Sequence, residues 1–127
     1  MTTTRTMPRI LVVDDDLATR QVARSALANA GFDVRVARDG AEALTRLRGG
    51  RFDLMLLDVW MPRMDGLDAS RTLKKLQHPP QIVLFTINKD RVTDSDADSA
   101  GLAAVIEKSE GLEPLLQQVQ LLLQPAH

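Results

Sequence analysis

The chain of 127 residues contains no cysteine and no tyrosine, and only 3% of its residues are aromatic. Without cysteine there is no disulfide framework and no thiolate chemistry, which is compatible with a reducing compartment. No apolar run approaches the length of a transmembrane helix, so we expect a cytoplasmic protein without membrane insertion. The formal net charge is -1 and there is no basic block. The chain therefore lacks the electrostatic footprint of a nucleic-acid-binding protein, and we expect no direct nucleic-acid partner.

What is present is typical of one globular domain. Apolar residues make up 44% of the sequence and charged residues 26%, and the length suits a single domain with its own core. We expect this domain to span residues 8–124, with flexible tails at 1–7 and 125–127 and no attached output domain.

Short apolar runs alternate with patterns of helical period. Buried strands are predicted from the runs Ile10–Val13, Leu54–Leu57, Ile82–Phe85 and Leu102–Ile106, and an edge strand from Asp33–Val36. Helices are predicted around Val22–Ala30, around Ala41–Leu47, after the cap Asp65, over the polar segment Asp90–Ser99, and over Leu112–Leu123. Five strands alternating with five helices predict an α/β fold, a doubly wound parallel sheet in a three-layer sandwich.

Polar residues follow the predicted strands at their carboxyl ends. The first strand ends in Asp14-Asp15-Asp16, the third in Asp58, the fourth in Thr86 and the fifth in Lys108. Ligands of open α/β sheets bind at this edge. Clustered carboxylates favour a hard divalent cation such as Mg²⁺, and the neighbouring hydroxyl and ammonium suit phosphoryl oxygens. The pattern indicates phosphoryl transfer to a carboxylate nucleophile.

Two segments carry a family resemblance. Ile10–Asp16 resembles the first strand of response-regulator receiver domains, and Leu56–Gly66 is similar to the segment around their phosphoacceptor, with the run Asp58-x-x-Met61-Pro62-x-Met64-Asp65-Gly66. The resemblance extends from Pro8 to the last helix. It implies a flavodoxin-like sheet with strand order 2-1-3-4-5, and a single-domain signalling protein of a two-component system rather than an enzyme that turns over a metabolite.

The resemblance also implies a role for each residue of the site. Asp58 would be the phosphoacceptor, with Thr86 and Lys108 contacting the phosphoryl group. Mg²⁺, or Mn²⁺ as a substitute, would be bound by Asp15, by Asp58 and by the backbone carbonyl of Trp60. Asp14 would act through a metal-bound water.

The implied partners are proteins. A histidine kinase, a phosphotransfer protein or a small acyl phosphate would supply the phosphoryl group, and a separate downstream protein would receive the signal. A homodimer through the face of the fourth helix, fifth strand and fifth helix is a further expectation.

The sequence departs from the family pattern at three positions. Ser109 replaces the proline that often follows the site lysine, so the isomer of the Lys108–Ser109 peptide is open. Ile87 stands where a small residue is usual, and Val105 where an aromatic switch residue is usual.

Two alternatives stay open at this point. A degenerate receiver would bind partners without being phosphorylated. A haloacid-dehalogenase-like phosphatase would use Asp14 of the Asp14-Asp15-Asp16 run as its nucleophile, and the protein would then be a phosphohydrolase. Asp16 has a simpler interpretation than metal binding in either case, as the N-cap of the first helix.

Overall fold

The structure, a computed structural model, describes residues 7–58, 71, 74–88, 90, 92–95, 98 and 101–124. In these ranges the elements follow the predicted alternation. In chain order they are β1 (Arg9–Val13), α1 (Leu17–Asn29), β2 (Asp33–Ala37), α2 (Gly40–Gly49), β3 (Leu54–Leu57), β4 (Gln81–Thr86), β5 (Leu102–Glu107), a 3₁₀ turn (Lys108–Glu110) and α3 (Leu112–Leu122). Each predicted strand is confirmed to within one residue at either end. Helix α3 is the fifth helix of the prediction.

All five strands lie parallel in one sheet of order β2-β1-β3-β4-β5. The predicted order is therefore confirmed. Strands β1 and β3 are interior strands of this sheet, and four residues of each are fully buried. Their continuous apolar sequences are what burial on both faces requires.

The core consists of two layers, one on each face of the sheet, because alternate residues of a strand point to opposite faces. One layer packs Leu11, Met55 and Leu84 against Ala43 of α2. The other packs Val12, Leu56 and Val83 against α1 and α3, through the following four residues: Ala23, Leu27, Leu115 and Val119. Helices on both sides of the sheet give the predicted three-layer sandwich.

Helix α1 begins where the sequence predicts. Asp16 is its N-cap, and the Asp16 carboxylate accepts a hydrogen bond from the Thr19 N–H at 2.9 Å. The helix buries Ala23 and Leu27, whereas Val22, a member of the predicted apolar stripe, is 53% exposed. One side of α1 thus presents an apolar side chain to solvent.

The ladder between β4 and β5 contains a shift of one residue. Ile82 pairs with Leu102, but the next residue, Val83, pairs with Ala104. Ala103 is therefore an extra, unpaired residue in β5, as in a β-bulge. From Ala104 onward the alternation of β5 is displaced by one position relative to its start.

The third and fourth predicted helices fall largely outside the described residues. Arg71 is helical, as are residues 94, 95 and 98. The predicted cap Asp65 lies outside the described part of the chain. In the described ranges, no helix combines the length and the apolar character needed to cross a membrane.

Candidate functional site

Strand register brings the predicted site residues to one edge of the sheet. Val13 pairs with Leu57, so Asp14 and Asp58 leave the ends of two adjacent strands. Thr86 is the last residue of β4 and pairs with Glu107, after which Lys108 follows directly. Three of the four are buried: Asp14 is 3% exposed, Asp58 5% and Thr86 0%.

Every polar group of Asp14 is bonded. Its N–H donates to the Ala37 carbonyl at 3.2 Å, which extends the β1–β2 ladder by one residue. Its carboxylate accepts the Asp16 N–H on one oxygen at 2.9 Å and the Lys108 ammonium on the other at 2.9 Å. Its backbone carbonyl accepts from Arg20 at 2.8 Å. Burial raises the pKa of Asp14, and the bonds from Asp16 and Lys108 oppose that rise without cancelling it.

Lys108 joins two carboxylates. Its ammonium lies 2.9 Å from Asp14 Oδ2 and 3.3 Å from Asp58 Oδ2. Burial works to lower the pKa of Lys108, but the hydrogen bond and charge of Asp14, with those of Asp58, outweigh it and raise the pKa. The lysine is therefore held as an ammonium ion between the ends of β1 and β3.

The turn after β5 positions this lysine. The carboxylates of Glu107 and Glu110 each accept a hydrogen bond from the other's backbone N–H, which forms a capping box across the 3₁₀ turn. Gly111 follows with φ +88°, a left-handed conformation that favours glycine, and begins α3. No peptide bond in the described ranges is cis, and the Lys108–Ser109 bond is therefore trans.

Asp14, Asp15 and Asp58 form a set of carboxylates that suits a cation. One ligand oxygen from each lies within 4.8 Å of the others. Asp15 is exposed and its side chain has no hydrogen-bond or ion-pair partner in the described part of the chain. Three carboxylates against the single ammonium of Lys108 leave an excess of negative charge. Oxygen donors with excess negative charge fit a hard divalent ion, as the sequence predicted.

The Thr86 side of the site is bonded more loosely. The Thr86 hydroxyl accepts only the Asn88 N–H, at 3.5 Å, among the described residues. Ile87 is 65% exposed. Val105 is half-buried and packs against the same core layer as Leu84. The Thr86 hydroxyl thus lies at the same edge of the sheet as the carboxylates and makes no strong hydrogen bond among the described residues.

Asp16 and Arg20 complete the loop between β1 and α1. Thr19 donates to the Asp16 carboxylate through its hydroxyl at 2.6 Å and its N–H at 2.9 Å, and these bonds lower the pKa of Asp16. Asp16 is therefore a cap, as predicted, and is not part of the carboxylate set. The contact of Arg20 with the Asp14 carbonyl was not predicted. The sequence shows only that an arginine lies four residues after the helix cap, and it does not indicate which carbonyl this arginine reaches.

Part of the predicted site cannot be placed. Trp60, whose backbone carbonyl was expected to bind the metal, lies outside the described residues, as does the Met61–Gly66 segment of the motif.

The family model described as the response regulator receiver domain matches residues 10–120. The chain belongs to this family. Response regulator MprA of Mycobacterium avium (strain 104) is 40% identical to this receiver domain over 116 residues, which cover 91% of the chain and 50% of the relative. The chain thus spans about half the length of the relatives it matches.

Solved structures agree with the receiver fold. Chemotaxis protein CheY4 of Vibrio cholerae is 29% identical, with a TM-score of 0.88 over 93% of this chain and 100% of that one. TrrA of Thermotoga maritima, in complex with Mg²⁺ and BeF, is 31% identical, with a TM-score of 0.84 over 92% of this chain and 100% of that one. TrrA has also been solved in complex with the histidine kinase ThkA, with 30% identity, a TM-score of 0.83 and coverage of 93% and 100%. Membership of this family excludes the dehalogenase-like alternative.

Proposed function

We propose that this receiver domain accepts a phosphoryl group on Asp58 and thereby carries a signal in a two-component system. The observation that carries the proposal is the contact of Lys108 with both Asp58 and Asp14, at 3.3 and 2.9 Å, beside the exposed carboxylate of Asp15. A buried carboxylate with an ammonium ion next to it and further oxygen ligands nearby is suited to attack at phosphorus. The reaction is a signalling event and not metabolic turnover.

In the transfer step, a carboxylate oxygen of Asp58 forms a bond to phosphorus as the bond from phosphorus to the donor atom breaks. With a phosphohistidine donor, the electron pair of the broken bond stays on the imidazole nitrogen. Lys108 offers an ammonium ion to one phosphoryl oxygen, and the Thr86 hydroxyl donates to another. Both groups stabilise charge on the transferring oxygens, which is the main catalytic need of such a reaction.

The bound cation is proposed to be Mg²⁺, with Mn²⁺ as a substitute. When bound, it would neutralise negative charge on the carboxylates and on the phosphoryl oxygens. Asp15 and Asp58 would bind it directly, together with the backbone carbonyl of Trp60, and Asp14 would act through a water. The different surroundings of Asp14 and Asp15 support this division, because both oxygens of the Asp14 carboxylate already accept hydrogen bonds whereas the Asp15 carboxylate has no partner among the described residues.

The proposed partners are a histidine kinase or phosphotransfer protein as the donor and a separate downstream protein as the receiver of the signal. The complex of TrrA with the kinase ThkA supports the first. A homodimer through the face of the fourth predicted helix, β5 and α3 belongs to the proposal, and so does a cytoplasmic location, with which the absence of cysteine is compatible.

The test is intact-mass spectrometry after incubation with acetyl phosphate, with and without Mg²⁺, followed by mapping of the modified residue. The wild type should gain one phosphoryl group on Asp58, only with the divalent ion, and Asp58→Asn should gain none. The control Asp16→Asn, an exposed helix cap in the neighbouring loop, should behave as the wild type. An adduct on another residue would overturn the assignment of Asp58. Folded wild type that takes up nothing from several donors would instead be a degenerate receiver.

A further inference from the structure

Arg20 makes a contact near the site that the proposed chemistry does not use. Its guanidinium Nη1 donates to the backbone carbonyl of Asp14 at 2.8 Å. This carbonyl lies just beyond β1, where the sheet ladder ends, and in the described ranges it accepts no backbone N–H. A strand carbonyl at such a point needs another donor. A side chain from the second turn of α1 supplies it.

The bonded carbonyl belongs to the peptide that joins Asp14 to Asp15. A peptide unit is planar, so holding its oxygen fixes the direction in which the chain enters Asp15. The Asp15 side chain has no partner of its own among the described residues. Its direction is therefore set by the backbone alone, and the backbone is held on one side by Arg20.

Other hydrogen bonds stabilise the rest of the loop between β1 and α1. The Asp14 carboxylate accepts the Asp16 N–H at 2.9 Å, and the Asp16 carboxylate caps α1 through Thr19. These bonds fix the residues before and after Asp15 but not the plane of the Asp14–Asp15 peptide. In the described part of the chain, Arg20 is the single side chain that donates to that peptide.

We propose that Arg20 is a positioning residue that orients Asp15 towards the cation by holding the Asp14–Asp15 peptide. The inference rests on the proposed function, since it assigns the direct ligand role to Asp15. Groups that hold a metal ligand in place commonly change metal affinity about 10-fold to 100-fold when they are removed.

Charge and position predict opposite results for the loss of Arg20. The guanidinium is a positive charge bonded to the backbone carbonyl of Asp14, beside the proposed cation site, and on Coulomb's law alone its removal would strengthen cation binding. Loss of positioning would weaken it, because Asp15 would sample directions that do not bind. The sign of the change in affinity therefore separates the two roles.

The experiment is a titration of the whole chain with Mn²⁺, followed by electron paramagnetic resonance of the free ion. Arg20→Met should raise the dissociation constant about tenfold. Arg24→Met is the matched control, since it removes the same charge one turn further along α1 from an exposed side chain, and it should change binding by less than about twofold. Arg20→Lys keeps the charge but not the planar fork of donors and should lie between Arg20→Met and the wild type.

A second readout separates binding from chemistry. The Mg²⁺ concentration that half-saturates phosphorylation by acetyl phosphate should rise in Arg20→Met, while the rate at saturating Mg²⁺ should stay close to that of the wild type. A merely structural role would lower the urea midpoint of unfolding and leave both metal readouts unchanged.

Each outcome decides between the proposals. Wild type that binds no Mn²⁺ would overturn the proposed function itself. Wild type that binds, with Arg20→Met binding equally or more tightly, would overturn only the role of Arg20. If Arg20→Met does not fold, Arg20→Lys decides alone: weaker Mn²⁺ binding supports the proposal and equal binding overturns it.

Discussion

Asp14 and Thr86 lie at the ends of two strands of the same sheet, and both are buried, yet their surroundings differ. The amide, the carbonyl and both carboxylate oxygens of Asp14 are all bonded at 2.8 to 3.2 Å. The hydroxyl of Thr86 has one partner among the described residues, the Asn88 N–H at 3.5 Å, at the long limit for a hydrogen bond.

The difference separates two tasks. In the proposed function, the β1 side of the site presents carboxylates in fixed positions to a cation, and preorganised groups do this without a reorganisation cost when the ligand arrives. In the same proposal, the β4 side, which carries Thr86, responds to a phosphoryl group that is present only part of the time. A hydroxyl without a strong partner can move to a new acceptor at little cost. We therefore expect the carboxylates on the β1 side to keep their positions and the Thr86 hydroxyl on the β4 side to move.

Removing Lys108 should have the largest effect on phosphorylation, because its ammonium contacts both Asp14 on the β1 side and Asp58. We expect Lys108→Met to slow phosphorylation by acetyl phosphate about a hundredfold, by analogy with the loss of one donor from a site that stabilises developing charge. The initial rate, followed by mass spectrometry, is the measurement. Lys75→Met, at an exposed lysine, is the control, and an equally small effect in both variants would contradict the role of Lys108.

Neutral variants of Asp15 and Asp16 test the β1 side alone. Asp15→Asn should weaken Mg²⁺ binding by more than about tenfold, because it replaces a direct ligand. Asp16→Asn should leave affinity nearly unchanged, since asparagine also caps helices well. Isothermal titration calorimetry gives both constants. Equal losses in the two variants would show that the ligand assignment is wrong.

Hydrogen exchange tests whether the β4 side moves. With Mg²⁺ and beryllofluoride as a phosphoryl mimic, we expect exchange rates to change severalfold in the peptide that covers residues 86–98, and less in the peptides of α1. The reason is that the Thr86 hydroxyl has no strong bond to lose among the described residues, and that Val105 is too short and too restricted in its rotamers to carry the change as an aromatic residue would. Changes confined to the loops of Asp15 and Asp58 would refute this route.

The smallest expected effect is a difference in the pH dependence of stability. The pKa of Asp14 is raised by burial, so this group contributes stability that is fully present below its unfolded pKa of 3.8 and is lost as pH rises through its folded pKa. The pKa of Asp16 is lowered by the Thr19 bonds, so its contribution is present above 3.8 and is lost as pH falls through its folded pKa.

Urea unfolding from about pH 3 to pH 7, without divalent ions, measures these two contributions. Asp14→Asn should gain stability relative to the wild type as pH rises, whatever constant offset its altered hydrogen bonds add. Asp16→Asn should gain relative stability as pH falls. Parallel profiles for the two variants would contradict the assigned directions.

Much of the fold follows from the sequence because most of its strands are nearly pure apolar runs. A run such as Leu54–Leu57 can only be buried on both faces, and parallel order then takes the residues after each run to one edge. Asp14, Asp58, Thr86 and Lys108 could therefore be grouped before any coordinates were known.

Contacts made by side chains to the backbone were much harder to predict. The position of Arg20 on α1 says nothing about which carbonyl it reaches, since that depends on where the sheet ladder stops. The capping box of Glu107 and Glu110 was missed for a similar reason, because it stabilises a turn too short to leave a periodic pattern. Exposure of Val22 also escaped prediction, since an apolar residue at helical spacing is most often part of the core.

The shift in the β4–β5 ladder has a consequence for the charge of the site. Thr86 pairs with Glu107 and is followed across the edge by Lys108 because Ala103 is an extra residue in β5. If Ala103 instead paired with Val83 and the ladder continued without the bulge, Ile106 would pair with Thr86 and Glu107 would occupy the position of Lys108. A carboxylate would then face Asp14 and Asp58 where an ammonium ion does now. Because Ala103 stays unpaired at the start of β5, the residue beside Asp14 and Asp58 is an ammonium ion and not a carboxylate that would repel the proposed nucleophile.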